Sequence, residues 1–290
     1  MSKILVTGGS GFIGRALTDR LKAMGIDVAS MGSVDGDIAS QETLAKFEKE
    51  NIAHVFHLAG KTFVPDSWDD PQSFCQVNVL GTVNILEFCR KKRIPITYVS
   101  AYVYGHPDRL PISENDTVQP SNPYALSKRL AEEVCTFYSC VHNLSVTIIR
   151  PFNVYGIGQS EIFLIPEIIK QVLADGENII VKDLVPKRDY VYLEDLLIAL
   201  LATLDNLGGS SVYNIGSGIS LSVQEVIDII QGVAGTDKKV ICDGEERINE
   251  LMDVVADISK AKNELGWHPE YSFQLGIEKI LQNDKRGLDE

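Results

Sequence analysis

The chain opens on a short apolar run, Ile4 to Val6, which meets the glycine-dense stretch Thr7-Gly8-Gly9-Ser10-Gly11. Beyond it Phe12, Ile13, Ala16, Leu17, Leu21 and Met24 recur at helical spacing. That pattern predicts strand, tight turn, helix. Gly25 is placed to end the helix, and further buried-type strands are predicted at Ile26 to Met31, Ala53 to Leu58, Ile96 to Val99 and Leu144 to Ile149. Helical patterns fall between them. One begins near Ser40, and a long one begins at Pro71 and runs through Phe74, Val77, Val79, Val83, Ile85, Leu86 and Phe88. A third starts at Asn122, which caps it with Pro123 in the first turn. Strand and helix in alternation predict an α/β fold with a doubly wound parallel sheet of Rossmann type.

Beyond Pro151 the alternation loosens. The flexible turn Gly156-Ile157-Gly158-Gln159-Ser160 precedes a helix at Phe163 to Leu173 and a short strand at Ile179 to Val181. Lys187 to Tyr192 leads into a further strand, Glu194 to Leu204 is helical, and Val212 to Ile215 is a strand. Ser222 and Glu225 form a Ser-x-x-Glu capping box ahead of a helix at Val226 to Val233. Residues 1–150 are therefore expected to form a dinucleotide-binding domain to which 188–215 return. Residues 151–187 and 216–290 make a smaller mixed α/β lobe that packs against it and shares strands with it.

Composition narrows the class. The 290 residues are 44% hydrophobic and 23% charged, which suits an ordinary globular protein with a substantial core. Asp and Glu number 40 against 27 Lys and Arg, and the net charge of −13 argues against a nucleic-acid or anionic-membrane partner. The five cysteines include no Cys-x-x-Cys pair, so no disulfide framework or metal site is expected, and a reducing cytoplasm is the plain reading. The first strand starts too early to leave room for a signal peptide, and no apolar run approaches the roughly 20 residues of a membrane span.

The glycine turn carries the first chemistry. Its backbone can adopt positive φ and admit an anion to the unpaired N–H groups of the helix, a geometry suited to a dinucleotide pyrophosphate. At the end of the second strand the chain runs Met31-Gly32-Ser33-Val34, with neither the acid that takes ribose hydroxyls nor a base for a 2′-phosphate, so NAD and NADP stay open. Asp37 and Ile38 either meet the adenine or open the next helix. His57 reads as a packed core histidine. Lys61, after Leu58-Ala59-Gly60 at a strand's carboxyl end, is either a ligand contact or a solvated lysine. Asn78 lies amid apolar helix positions and needs a polar partner. The run Arg90-Lys91-Lys92-Arg93 is assigned to favourable charge at a helix C-terminus rather than to a nucleic-acid patch. Ser100 ends one strand, and Tyr124 and Lys128 stand four apart on one helix face. An ammonium there is expected to lower the tyrosine's proton affinity, so that Tyr124 exchanges a proton with a substrate oxygen held by Ser100.

Together Thr7-Gly8-x-x-Gly11-Phe12-x-Gly14, His57-Leu58-Ala59, Ser100 before Val103-Tyr104-Gly105, Asn122-Pro123-Tyr124-x-x-x-Lys128 and Arg150-Pro151-Phe152-Asn153 resemble the extended short-chain dehydrogenase/reductases, in the nucleotide-sugar epimerase/dehydratase group. The resemblance spans nearly the whole chain. It implies a catalytic triad of Ser100, Tyr124 and Lys128. It implies a NAD or NADP site lined by Gly8, Ser10, Gly11, Phe12, Ile13, Gly14, Asp37, Ile38, Leu58, Ala59, Gly60, Lys61, Tyr124, Lys128 and Pro151. For a nucleotide-diphosphate sugar it implies Ser100, Ala101, Tyr102, Asn153, Gln159, Arg188 and Arg247, the last in divergent acidic surroundings.

Within the group, Lys61-Thr62-Phe63-Val64 with Ser67-Trp68, Gly156-x-Gly158-Gln159-Ser160, and Tyr213-Asn214-x-Gly216-Ser217-Gly218 with Gly266-Trp267 are most similar to the GDP-4-keto-6-deoxy-mannose reductases, which implies a 4-ketoreductase, with related 4-ketoreductases of dTDP sugars also open. A 4-epimerase with tightly held NAD is the alternative, and a non-catalytic NAD(P)-binding regulator is the reading from another class. Ala101-Tyr102 stand where a 4,6-dehydratase of the group has an Asp-Glu pair, so dehydration is not expected. The resemblance also implies a homodimer formed through the helices at 71–93 and 122–141.

Overall fold

The computed structural model describes residues 2–205, 209–244 and 251–288. Six strands form the main sheet: β1 (Lys3–Thr7), β2 (Val28–Met31), β3 (Ile52–His57), β4 (Ile96–Val99), β5 (Val146–Pro151) and β9 (Ser210–Ile215). Their order is β2-β1-β3-β4-β5-β9, and every pairing is parallel. Side chains alternate between two buried layers. Leu5, Val55, Val146 and Ile148 enter the core on one face, and Ile4, Val6, Phe56 and Ile149 enter the core on the other. Burial on both faces is why these strands read as continuous apolar runs.

Helices α1 (Phe12–Ala23), α4 (Gly81–Lys92), α5 (Pro123–His142) and α7 (Leu193–Ala202) supply the covering layers. β2 and β3 lie on opposite sides of β1, so the strand order reverses at the carboxyl end of β1. Open α/β sheets bind ligands at such a switch point.

The long helical pattern from Pro71 is interrupted. It forms α3 (Pro71–Cys75), a π turn over Gln76–Leu80, and then α4. The short α2 (Val64–Asp69) precedes it. The element expected near Ser40 is a 3-10 turn, Gln41–Phe47. The basic run does close the C-terminus of α4, with Arg90, Lys91 and Lys92 in its last turn and Arg93 at its C-cap, and it has a further use. The Lys92 ammonium donates to Phe47 O at 3.1 Å and Glu50 O at 3.0 Å, which ties α4 to the preceding segment, and Arg90 forks onto Glu87 of its own helix.

The second lobe holds β6 (Asn153–Tyr155), α6 (Leu164–Leu173), β7 (Asn178–Val181), β8 (Lys187–Tyr192), β10 (Ser220–Ser222), α8 (Val223–Ala234), β11 (Lys239–Cys242), α9 (Ser259–Leu265) and α10 (Phe273–Leu288). Its strands form separate sheets, β10-β8-β6 and β11-β7. Strands are therefore not shared between the lobes. Of the stretch 188–215, only α7 and β9 join the main sheet and its layers, while β8 pairs with β6 and β10. The lobes meet through side-chain packing, since Val191 of β8 and Trp267 lie in the same buried cluster as Val6 and Phe56. Ser222 does cap α8 as its Ser-x-x-Glu pattern predicts, accepting from Glu225 N at 3.2 Å.

Candidate active site

The glycine turn is packed backbone to backbone against the end of β3. Gly8 has φ of +73°, and a Cβ added there would lie 2.7 Å from Ala59 N and from the Leu58 carbonyl carbon. A Cβ on Gly14 would fall 2.1 Å from Gly8 O. Any side chain at either position would push the turn apart. Helix α1 starts without a side-chain cap and without an acid in its first turn, whereas α5 and α8 are capped by Asn122 and Ser222. Its first N–H groups and dipole are thus available to an anion beside Ser10, Gly11, Phe12, Ile13 and Gly14.

The sequence shows no acid at the end of β2, but the structure brings one back. A one-turn 3-10 segment, Ser33–Asp35, folds the Asp35 carboxylate onto Gly32 N at 2.8 Å. Gly32 itself abuts Ser10 of the glycine turn. The available signal was an acid three residues after a glycine, the spacing of a capped turn. Asp37 is exposed and its Oδ1 accepts from Ala39 N at 2.9 Å, while Ile38 is buried in the core.

At the other end of the site, Lys128 is buried. Its ammonium donates to Val99 O at 2.7 Å, lies 4.8 Å from the Tyr98 ring centre, and would be 3.6 Å from a Cβ on Gly60. It therefore sits between the ends of β3 and β4. Burial lowers its pKa to about 8, opposed by the charge of Glu132. The adjacent Ser100 is buried with an Oγ that has no hydrogen-bond partner. Buried hydroxyls are rarely left so, and an unpartnered one marks a place for a ligand oxygen.

Tyr124 starts the same helix face as Lys128, with its ring against Phe74. The expected lowering of its proton affinity is overturned. Burial raises the Tyr124 pKa well above its ordinary value, because a phenolate taken out of water loses its solvation. The phenol is therefore neutral at physiological pH.

Asn78 resolves into a junction. On the π turn, its Oδ1 accepts from Lys61 N at 2.8 Å, and its Nδ2 donates to Lys61 O at 3.0 Å and Ser127 Oγ at 2.8 Å. Ser127 in turn donates to Tyr124 O at 2.7 Å. Lys61 points its ammonium outward, to Ser73 Oγ at 2.7 Å and Asp70 at 4.0 Å.

Pro151 and Ala101 are buried near the strand ends. Tyr102 donates to Gly105 O and feels the Arg188 charge. Asn153 of β6 stands opposite Tyr190 of β8 and donates from Nδ2 to Asp189 O at 3.1 Å, while Arg188, two residues before Tyr190 on β8, sets its guanidinium on Leu251 O. Gln159 donates to Val154 O and keeps a buried, unpartnered Oε1. Arg247 lies outside the described residues. Among the described residues no group of three or more His, Cys, Asp or Glu could hold a metal ion, and no helix is long and apolar enough to cross a membrane.

A buried ion pair escaped the sequence reading. Glu132, one helical turn past Lys128, receives Arg150 in a fork at 2.9 and 2.7 Å. Arg150 also donates to Tyr104 OH at 2.8 Å, and that hydroxyl donates to Asn214 Oδ1 at 2.6 Å. Asp189 is a second hub, accepting from Ser217 N, Ser217 Oγ, Gly218 N and Ala256 N. Both hubs join elements far apart in the chain, and only the spacing of Lys128 and Glu132 hinted at the first.

Residues 4–216 match the NAD dependent epimerase/dehydratase family. GDP-6-deoxy-D-mannose reductase of Pseudomonas aeruginosa is 30% identical, over 97% of this chain and 96% of the relative. UDP-glucose 4-epimerase of Mycolicibacterium smegmatis is 32% identical, over 97% of each. Among solved structures, RMD from Pseudomonas aeruginosa complexed with NADPH superposes with a TM-score of 0.90 at 30% identity, covering 99% of this chain and 100% of that one.

Proposed function

Because the chain belongs to the NAD-dependent epimerase/dehydratase family, we propose that it reduces the 4-keto group of a 4-keto-6-deoxy sugar nucleotide with NAD(P)H. The observation that carries this reading is the buried, unpartnered Ser100 Oγ, one residue after the Val99 carbonyl that holds the Lys128 ammonium, with the neutral Tyr124 one turn before Lys128 on α5. A neutral phenol is the form that gives a proton to a ketone oxygen. When bound, the nicotinamide supplies the hydride to the carbon. Ser100 holds the oxygen in line, Tyr124 protonates it, and Lys128 stabilises the phenolate left behind. The alcohol then carries one hydride and one proton more than the ketone.

The uncapped start of α1 and the Gly8 and Gly14 close approaches support a pyrophosphate seat. In this reading Gly8, Ser10, Gly11, Phe12, Ile13 and Gly14 hold the diphosphate, Asp37 and Ile38 the adenine side, and Leu58, Ala59, Gly60, Lys61 and Pro151 the path to Tyr124. Asn153, Gln159 and Arg188 take the sugar nucleotide, with Ala101 and Tyr102 beside the sugar, and Arg247 joins them by sequence position. Residues 1–150 with α7 and β9 thus form the cofactor domain, which also lends Ser100, Ala101 and Tyr102 to the sugar, and the rest forms the substrate lobe. An exposed apolar stripe on α5, Leu126, Leu130, Phe137 and Val141, supports a homodimer, and the overall reading is a cytoplasmic enzyme.

A second reading, a 4-epimerase, is supported by the relative of that name. The test is a panel of GDP-, dTDP-, UDP- and CDP-linked 4-keto-6-deoxy sugars offered with NADH and with NADPH. The reductase consumes one reduced nicotinamide per sugar. Purified protein that carries NAD and interconverts 4-epimers with no net oxidation overturns it in favour of the epimerase.

A further inference from the structure

We propose that His57 is a positioning residue, held as the neutral tautomer protonated on Nε2, whose one-way hydrogen-bond chain ties the glycine turn at the end of β1 to the π turn that carries Asn78. The role rests on the reading of that turn as the cofactor seat; the tautomer does not.

Donor counting gives the direction. Thr82 Oγ1 lies 2.6 Å from Asn78 O, a carbonyl that can only accept, so the Thr82 hydroxyl proton is committed there. His57 Nε2 stands 3.0 Å from the same Thr82 oxygen, which is left able only to accept, so Nε2 carries the proton. A neutral imidazole has one N–H, and Nδ1 must then accept. Its partner at 2.7 Å is Thr7 Oγ1, whose proton therefore points at Nδ1 and whose lone pair receives Ala59 N–H at 3.3 Å. The chain runs from Ala59 N–H through Thr7, His57 and Thr82 to Asn78 O, and all three side chains are buried.

The alternatives each break it. A proton on Nδ1 instead of Nε2 sets two lone pairs against each other at Thr82. An imidazolium orphans the Thr7 hydroxyl proton and places a second positive charge in the field of Lys128, in a site where burial already lowers the His57 pKa to about 3. Burying an unpaired polar group is the costlier outcome in either case.

The two ends of the chain give it a use. Thr7 precedes Gly8, and Asn78 grips Lys61 and Ser127, which holds the Tyr124 carbonyl. His57 thereby sets the separation between the glycine turn and the start of α5. Local sequence offered no sign of this beyond a histidine in an apolar strand.

Two measurements test it. In protein with 15N-labelled histidines, His57 is expected to show a proton on Nε2, a bare Nδ1 and no titration from about pH 5 to about pH 9. The same counting along Thr97, Thr203 and Leu200 O gives His54 the Nε2-protonated form, so a His54→Phe protein assigns the signals. A proton on Nδ1, or a titrating ring, overturns the tautomer. His57→Asn retains only the acceptor toward Thr7 and His57→Gln only the donor toward Thr82. Each is expected to weaken binding of NADH or NADPH alone about tenfold, the worth of one buried hydrogen bond, with substrate KM unchanged. Folded variants that bind either nicotinamide as the parent does overturn the positioning role. A parent protein that binds neither overturns the cofactor reading, and the tautomer is still decided by the labelled sample.

Discussion

Replacing Lys128 by methionine separates the energetic cost of the site from its chemistry. The folded protein lowers the lysine pKa from 10.5 to about 8, with burial the largest cause. At about 1.4 kcal/mol for each tenfold change in proton affinity, the charged form costs about 3 kcal/mol in the fold. Below pH 8 the lysine is protonated in both folded and unfolded chains, so the full cost is present. Between about 8 and 10.5 the folded chain releases its proton while the unfolded chain keeps it. The unfolded state then binds more protons, and stability rises with pH, by about 1.4 kcal/mol per pH unit.

Lys128→Met has no such term. Urea titrations at about pH 7, 8, 9 and 10, read by linear extrapolation, should show the parent gaining on the variant by most of about 3 kcal/mol across that range. At pH 7 the variant loses the bond to Val99 O but sheds the buried charge, and it should be neutral to more stable by up to about 2 kcal/mol while turnover collapses. A stability difference that does not change with pH would refute the reasoning, because the ammonium would then be as well solvated folded as unfolded.

Other outcomes follow from the same geometry. Tyr124→Phe should cut kcat by about 100-fold or more with nicotinamide binding intact, and full turnover would remove Tyr124 as the proton donor. Arg188→Ala should raise KM for the sugar nucleotide far more than for NAD(P)H, and equal effects in steady-state assays would count against a diphosphate role. Glu132→Ala leaves the Arg150 guanidinium buried without its fork, and denaturant titration should show a loss of about 3–5 kcal/mol. Gly14→Ala drives a Cβ into Gly8 O, so calorimetric binding of NADH and NADPH should be abolished, and retained affinity would show that the turn can yield.

Much of this protein is local in origin. The β1-turn-α1 unit, the Asn122 and Ser222 caps, the four-residue spacing of Tyr124 and Lys128 and the strand that delivers Ser100 all depend on neighbours within one or two turns of chain. Periodicity and capping chemistry report on that range, so these features could be read before any fold was known. The interruption at Asn78 was half legible: a buried amide demanded a partner, but only packing against α5 supplied Ser127.

The rest was decided by which segments meet. The proton affinity of Tyr124 moved opposite to the expectation from Lys128, because burial is a sum over every surrounding element and pairwise spacing does not contain it. Asp35 returned to β2 by way of a 3-10 turn, β8 left the main sheet for its own, and Arg150 found Glu132 across the layer between β5 and α5. The single tautomer of His57 depends on four hydroxyl, amide and carbonyl partners drawn from three elements. Sequence alone determined which chemistry the chain carries, through short-range geometry; the tertiary structure determined charge state and alignment, because desolvation and hydrogen-bond direction exist only once distant parts of the chain are in contact.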